Sequence, residues 1–435
     1  MTLKEHFKKH IVLAYPVVIG QLGHIMVSVA DTMMVGHVGV IPLAAATFAG
    51  TIYHTLLLFG IGVSYAITPL VAATKPDDQP ILMKYLQNGL ILNAVLSLAL
   101  LGIGLIASQF LMNFGQEEAV AIEAKSYLII VSASLIPLMV FQTFRQFSEG
   151  LSDTFNPMVV SVIANLLNVA LNYVMIYGKF GFTALGLDGA GYATLISRVV
   201  MAVLLIWAIR NRFAGFQFHF DWINIKRMLK IGIPSGMQYV FEVGAFAMAA
   251  IMVGWISAEA LAAHQVALNL SAITYMCATG LASAATIRIG NQIGLKDLHG
   301  LKTAGYTAYG LVTGFMAVMA VLFILFRFTM SSWYVNDEYV QSVAAGLLII
   351  VAGYQVSDGL QAVGLGILRG LTDVKVPTMV TFVSYWLIAI PGGYLFAFHW
   401  DMGIEGVWYA LLLGLSVAAI LHILRFVRLV RKLRF

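Results

Sequence analysis

The chain has 435 residues, 60% of them apolar and only 10% charged, with 25 Lys and Arg against 20 Asp and Glu and a mean hydropathy of +0.89. An average soluble domain is about a quarter charged, so this composition excludes a soluble enzyme, a disordered chain and a coiled coil. The single cysteine, Cys277, excludes a disulfide framework within the chain and a cysteine metal cluster.

Long apolar runs broken by charge, Gly or Pro predict twelve membrane-spanning helices. In chain order the first six cover 11–35, 44–73, 81–112, 124–145, 157–177 and 187–209. The second six cover 228–256, 261–289, 304–328, 340–368, 377–398 and 404–427. Runs of this length favour helices over a barrel, whose strands would alternate every second residue. Of the 25 basic residues, 21 fall on the side of the N-terminus, which by the positive-inside bias places both termini in the cytoplasm. Lys125, Lys179 and Arg327 lie on the other side, and Arg198 lies within the sixth span. The pI of about 9.1 is therefore a topology signal and implies no nucleic-acid partner. Lys4, Lys8 and Lys9 precede an apolar run too long for a signal-peptide core, so the first helix is expected to stay.

The chain carries an internal duplication. Pro16, Met34-Val35-Gly36 and Leu43-Ala44-Ala45 match Pro234, Met252-Val253-Gly254 and Leu261-Ala262-Ala263 at a shift of 218. Gly150-Leu151-Ser152-Asp153 with Pro157 matches Gly370-Leu371-Thr372-Asp373 with Pro377 at 220, and Asp188-Gly189 matches Glu405-Gly406 at 217. Each repeat holds six helices, so the two halves enter the membrane in the same direction. They are expected to be related by a pseudo-twofold axis along the membrane normal. The expected fold is thus an all-α integral membrane protein with two six-helix lobes, residues 1–210 and 228–435, joined by a linker at 211–227. In that linker region Phe216, Phe218, Phe220 and Trp222 alternate with polar residues, as in a surface anchor or a solvated connection. Gly310 with Gly314 and Gly366 with Gly370 are expected to permit close helix contact.

Four residues of definite charge remain inside the spans: Asp31, Arg198, Glu242 and Asp358. Charge at membrane depth is costly enough that such residues face a cavity or a partner. Tyr354 precedes Asp358 by one helical turn, and Asn168 and Asn172 share a face of the fifth helix, with Asn165 one turn away. Carboxylate, amide and hydroxyl oxygens suit a dehydrated sodium ion, and a buried carboxylate suits a proton, so the same residues serve either ion. Hydrogen-bonded contact between helices is the alternative for each. Arg198 reads as a snorkelling side chain or a partner to an acid, in preference to a substrate role. His24 and His264 read as polar contacts. Neither an HExxH zinc motif nor a GxxxxGK[S/T] phosphate loop is present, which argues against an enzyme and against ATP-driven transport.

These residues resemble the multidrug and toxic compound extrusion (MATE) transporters, most closely the NorM branch. The resemblance rests on Pro16 with Asp31-Thr32-Met33-Met34-Val35-Gly36, on Phe241-Glu242, on Ala262-Ala263-His264-Gln265 and on Arg288-Ile289-Gly290-Asn291. It continues through Tyr354-Gln355-Val356-Ser357-Asp358 and Leu368-Arg369-Gly370 with Asp373. It implies two lobes around a central cavity that opens alternately to either side, and export of organic cations in exchange for Na+ or H+, with no other cofactor. By resemblance, Asp31, Asn168, Asn172 and Thr194 form an N-lobe polar cluster. Glu242, Tyr275, Tyr354 and Asp358 form the C-lobe cation and drug site, with Glu242 and Asp358 the sodium ligands if the ion is sodium. Where some members carry a second aspartate on the fifth helix, this chain has Asn172, which leaves open which lobe couples. The resemblance further implies a multi-pass protein of a prokaryotic inner membrane, expected to be monomeric, with drugs and membrane lipids as its partners. A lipid-linked precursor flippase of the same superfamily is the rival. It should show several basic residues facing a cavity, and Arg198 is the one the sequence offers.

Overall fold

In a computed structural model, which describes residues 2–75, 77–213 and 220–434, the chain is helical throughout, with no strand among the described residues. Twelve helices are long and apolar enough to cross a membrane. They are α1 (Leu3–Gly36), α2 (Val40–Ala72), α3 (Gln79–Phe114), α4 (Glu118–Gly150), α5 (Phe155–Tyr177) and α6 (Gly186–Arg212). The second set is α7 (Trp222–Gly254), α8 (Ala258–Gly294), α9 (Leu298–Ser332), α10 (Glu338–Gly370), α11 (Lys375–His399) and α12 (Gly403–Lys432). Most run past the apolar stretches that predict them. The first helix starts at Leu3, because Lys4, Lys8 and Lys9 are good helix formers and continue the helix beyond the apolar run.

The helices form two compact units, Ile19–Gly236 and Met1–Val18 with Met237–Phe435. In the first unit α4 packs against α2, α3 and α6; in the second, α10 packs against the equivalent α8, α9 and α12. The duplication seen in the sequence is thus repeated in the packing.

The unit boundaries differ from the expected lobes 1–210 and 228–435. The start of α1 packs with the second half of the chain, and the start of α7 packs with the first. The two crossing points, Val18 and Gly236, are separated by the same shift of 218 that relates Pro16 to Pro234. Two equivalent glycines explain the exchange. A Cβ on Gly62 of α2 would lie 2.6 Å from Gly236 Cα, and one on Gly280 of α8 would collide with Val18 Cγ2 and lie 3.3 Å from Ala14 O. Only hydrogen side chains let these backbones approach so closely. Polar contacts add to this on the second unit: His10 Nε2 donates to Ala304 O at 3.0 Å and Arg288 Nη2 donates to His6 Nδ1 at 3.1 Å.

Of the other small residues, Gly366 and Gly370 do pack closely, against Ala282 O and the Thr286 carbonyl of α8. Gly310 and Gly314 have nothing within 4 Å of a built Cβ, so they make no close contact, contrary to the expectation from their spacing. In the linker, Phe220 and Trp222 stack with centroids 6.4 Å apart and stay exposed; Phe216 and Phe218 lie outside the described residues.

The eleventh helix departs from α geometry. It widens to π-type turns over Val383–Ala389 and Leu395–His399, on either side of Ile390–Tyr394. Pro391, which has no N–H to give, lies between the two widened stretches. The first of them carries Tyr385 and Trp386 toward α7.

Candidate functional site

In the second unit, Glu242 on α7 and Asp358 on α10 are 7% and 4% exposed. They lie within electrostatic reach of each other. The Tyr275 hydroxyl on α8 donates to Glu242, and Tyr354 and Tyr385 lie within electrostatic range of both acids, the Tyr385 hydroxyl without a hydrogen-bond partner among the described residues. All four residues assigned to this lobe are therefore brought together. Neither carboxylate forms an ion pair with a Lys, Arg or His among the described residues. Two buried acids without a cationic neighbour are unfavourable in a medium of low dielectric.

Two neighbours of this site carry no signal in the sequence. Tyr385 is fully buried, tilted edge-on to Phe246 with centroids 5.9 Å apart. Trp386 donates its Nε1–H to Phe241 O at 3.0 Å, which fixes α11 against the residue preceding Glu242. Above Tyr354, Trp408 of α12 stacks edge-on at 5.5 Å and meets His264 at 5.3 Å, so His264 is an aromatic contact rather than a hydrogen-bonded one.

In the first unit, Asp31, Asn168, Asn172 and Thr194 are also brought together. Asn172 Nδ2 donates to Asp31 Oδ1 and, at 3.2 Å, to Asn168 Oδ1. Asn168 Nδ2 in turn donates to Thr194 Oγ1 at 3.5 Å and Ser197 Oγ at 3.4 Å. The chain of amides follows from the i, i+4 spacing of the two asparagines on α5. Asp31, Asn168 and Thr194 line a cavity of about 490 Å³, together with Asn165 and His24.

Arg198 corrects its sequence reading. It is 8% exposed and does not snorkel, and it pairs with no acid among the described residues. Its Nη1 donates to the Tyr53 hydroxyl and, at 2.7 Å, to Ser134 Oγ, and its guanidinium lies 5.4 Å from the Tyr53 ring centroid. Both partners come from other helices, α2 and α4, so no local pattern marks them. Arg198 lines the same cavity as Asp31, and so does Arg145, which is bound to Glu149 at 2.7 Å. The cavity therefore holds two arginines where the sequence offered one.

This helical framework, with two repeated units each centred on buried polar residues, is the architecture of a multi-pass membrane transporter and not of an enzyme. The model of the MatE family matches residues 16–174 and 234–395, which is to say both repeats, and the chain belongs to that family. It is 34% identical to the "Probable multidrug resistance protein NorM" of Rhizobium meliloti (strain 1021), over 98% of this chain and 94% of that protein. It is 33% identical to the "Multidrug resistance protein NorM" of Vibrio cholerae serotype O1, over 96% and 94%. Among solved structures, an outward-facing multidrug resistance MATE family transporter superposes with a TM-score of 0.89 at 18% identity, over 99% of this chain and 97% of that one. The eukaryotic MATE transporter AtDTX14 superposes with a TM-score of 0.87 at 20% identity, over 99% and 98%.

Proposed function

We propose that the chain is a secondary active multidrug efflux antiporter, exporting organic cations in exchange for Na+ or H+ by alternating access. The observation that carries this is the pair of buried carboxylates, Glu242 and Asp358, with tyrosines near them and no basic ion-pair partner among the described residues. The names of the relatives from Rhizobium meliloti and Vibrio cholerae point the same way.

Exchange follows from competition. An organic cation held between Glu242 and Asp358 occupies the carboxylate oxygens a coupling ion needs, and a coupling ion bound there weakens the hold of the site on the drug. Because the empty, doubly charged site is unfavourable, the transporter resets only when one or the other is bound. Sodium would take the two carboxylates with neutral oxygens such as those of Tyr275 and Tyr354; protons would neutralise the same acids. Tyr354, Tyr385 and Trp386 add aromatic faces that attract a cation. Asp31 with Asn168, Asn172 and Thr194 provides a second polar station in the other unit. In this reading the protein is a monomer of a prokaryotic plasma membrane, with both termini cytoplasmic. The flippase alternative is disfavoured because acids without bases at Glu242 and Asp358 would repel an anionic headgroup.

The test is ethidium transport in proteoliposomes, with a sodium gradient and a proton gradient imposed separately. Gradient-driven accumulation is expected with at least one ion. Glu242→Gln and Asp358→Asn should each lower the rate at least about tenfold, the equivalent of one misplaced strong interaction. Wild-type rates in both variants would sink the proposal.

A further inference from the structure

The stretch of α1 that packs with the second unit carries two histidines that the proposed exchange does not use. His6 and His10 stand one turn apart and are both buried, as is Arg288 of α8. Arg288 Nη2 can only donate, so the His6 Nδ1 that receives it at 3.1 Å must be unprotonated. A protonated His6 would turn an N–H toward a guanidinium that keeps its charge at any ordinary pH. His10 gives its Nε2–H to Ala304 O of α9 at 3.0 Å, and its buried Nδ1 has no partner among the described residues. A proton added there would be an unmatched buried charge, with Arg288 and His6 in electrostatic reach.

The other charges around His6 do not offset this. Asp297, the acid in reach, is engaged in capping α9, where it accepts from Gly300 N–H at 2.8 Å. Lys9 and the amino terminus add positive charge. The docked arrangement is therefore one of two neutral rings. The equivalent stretch of α7 is built differently. At the shift of 218, His6 and His10 correspond to Asn224 and Met228. That stretch is held by Arg227 Nη1, which donates to the Tyr85 hydroxyl at 3.1 Å, and by Asp221 N–H, which donates to Asn88 Oδ1 at 2.8 Å. Neither contact contains a histidine, the side chain that ordinarily changes charge between about pH 5 and 8.

We propose that the start of α1 is a pH-sensitive latch, docked on α8 and α9 while His6 and His10 are neutral and released when they take up protons. Asp31 lies further along the same helix, so release frees the end of the helix that bears the first unit's acid. With the termini in the cytoplasm, as in the reading above, the latch senses cytoplasmic acidification; its chemistry does not depend on that reading.

The experiment is hydrogen–deuterium exchange of the full-length protein in detergent at about pH 7.5 and about pH 5.5, on either side of the ordinary histidine range. Labelling times are scaled for the intrinsic pH dependence of amide exchange. On acidification the amides of residues 3–12 should lose protection at least about tenfold, while those of residues 222–236 should change by less than about twofold. The double variant His6→Asn with His10→Gln preserves both contacts without a titrating ring: the Asn side-chain oxygen accepts from Arg288 and the Gln side-chain N–H donates to Ala304 O. Its protection over residues 3–12 should be the same at both pH values. Wild-type protection that is independent of pH, a loss of the same size in the variant, or an equal loss over residues 222–236 would overturn the proposal. If the double variant does not fold, His6→Asn alone decides: an acid-induced loss smaller than that of the wild type upholds the latch, and an equal loss overturns it. Failure of the wild type to move ethidium on any gradient would defeat the exporter reading, and the exchange measurement would still decide this one.

Discussion

Glu242 and Arg198 are each the one charge within the apolar stretch of a helix, and their surroundings give them different chemistry. Glu242 has Tyr275 and another acid, Asp358, near it and no ion-pair partner among the described residues. Arg198 rests on two hydroxyls that support it without cancelling its charge. Trp386 supports Glu242 indirectly. Removing its Nε1–H with Trp386→Phe should cost about 0.5–1.5 kcal/mol of stability, read as a lower melting temperature, and raise the apparent KM for ethidium. An unchanged melting temperature and KM would mean that this bond does not hold the site. The acids were legible in the sequence because charge is rare at membrane depth, and the asparagines because their spacing places them on one face. Tyr385 and Trp386 were not, since an aromatic pair in a membrane helix looks the same whether it faces lipid or a site. The partners of Arg198 were equally hidden, because Tyr53 and Ser134 belong to distant stretches of chain.

At the scale of helices, close contact is decided by what stands opposite each glycine, not by glycine spacing. Gly62→Ala and Gly280→Ala place a methyl group against backbone or a packed valine, so each should destabilise by about 1–3 kcal/mol. Gly310→Ala and Gly314→Ala meet open space and should be neutral or stabilising, since alanine is the better helix former by up to about 1 kcal/mol. Thermal denaturation of the four purified variants separates the two groups; a uniform effect would refute the packing assignment. The sequence showed all four glycines alike. Their partners depend on which helices are neighbours, information that a single helix does not contain. The widened turns of α11 were hidden for a similar reason: Pro391 signals a disturbance, but not its direction.

For the whole molecule, twelve spans put both termini on one side of the membrane. Orientation can be tested on a Cys277→Ser background, since Cys277 is the only cysteine. Lys179→Cys should react with a membrane-impermeant maleimide in intact cells, and Lys8→Cys only after permeabilisation, as both positions are exposed. The reverse pattern would invert the topology. The twelve helices and the duplication were readable from apolar runs and repeated motifs. The exchange of helix starts at Val18 and Gly236 was not, because the apolar run of α1 continues unbroken through the crossing point.

That exchange bears on how the chain can be divided and on how it came to be doubled. Cut in the linker, residues 1–212 lack the 222–236 stretch of their own unit, and residues 220–435 lack the first eighteen residues of theirs. The two fragments should therefore be recovered together from co-expressing cells and be degraded when made alone. By the same geometry, an unduplicated six-helix precursor could complete its unit only by borrowing a helix start from a second copy, a reciprocal swap that fusion of two genes would make permanent.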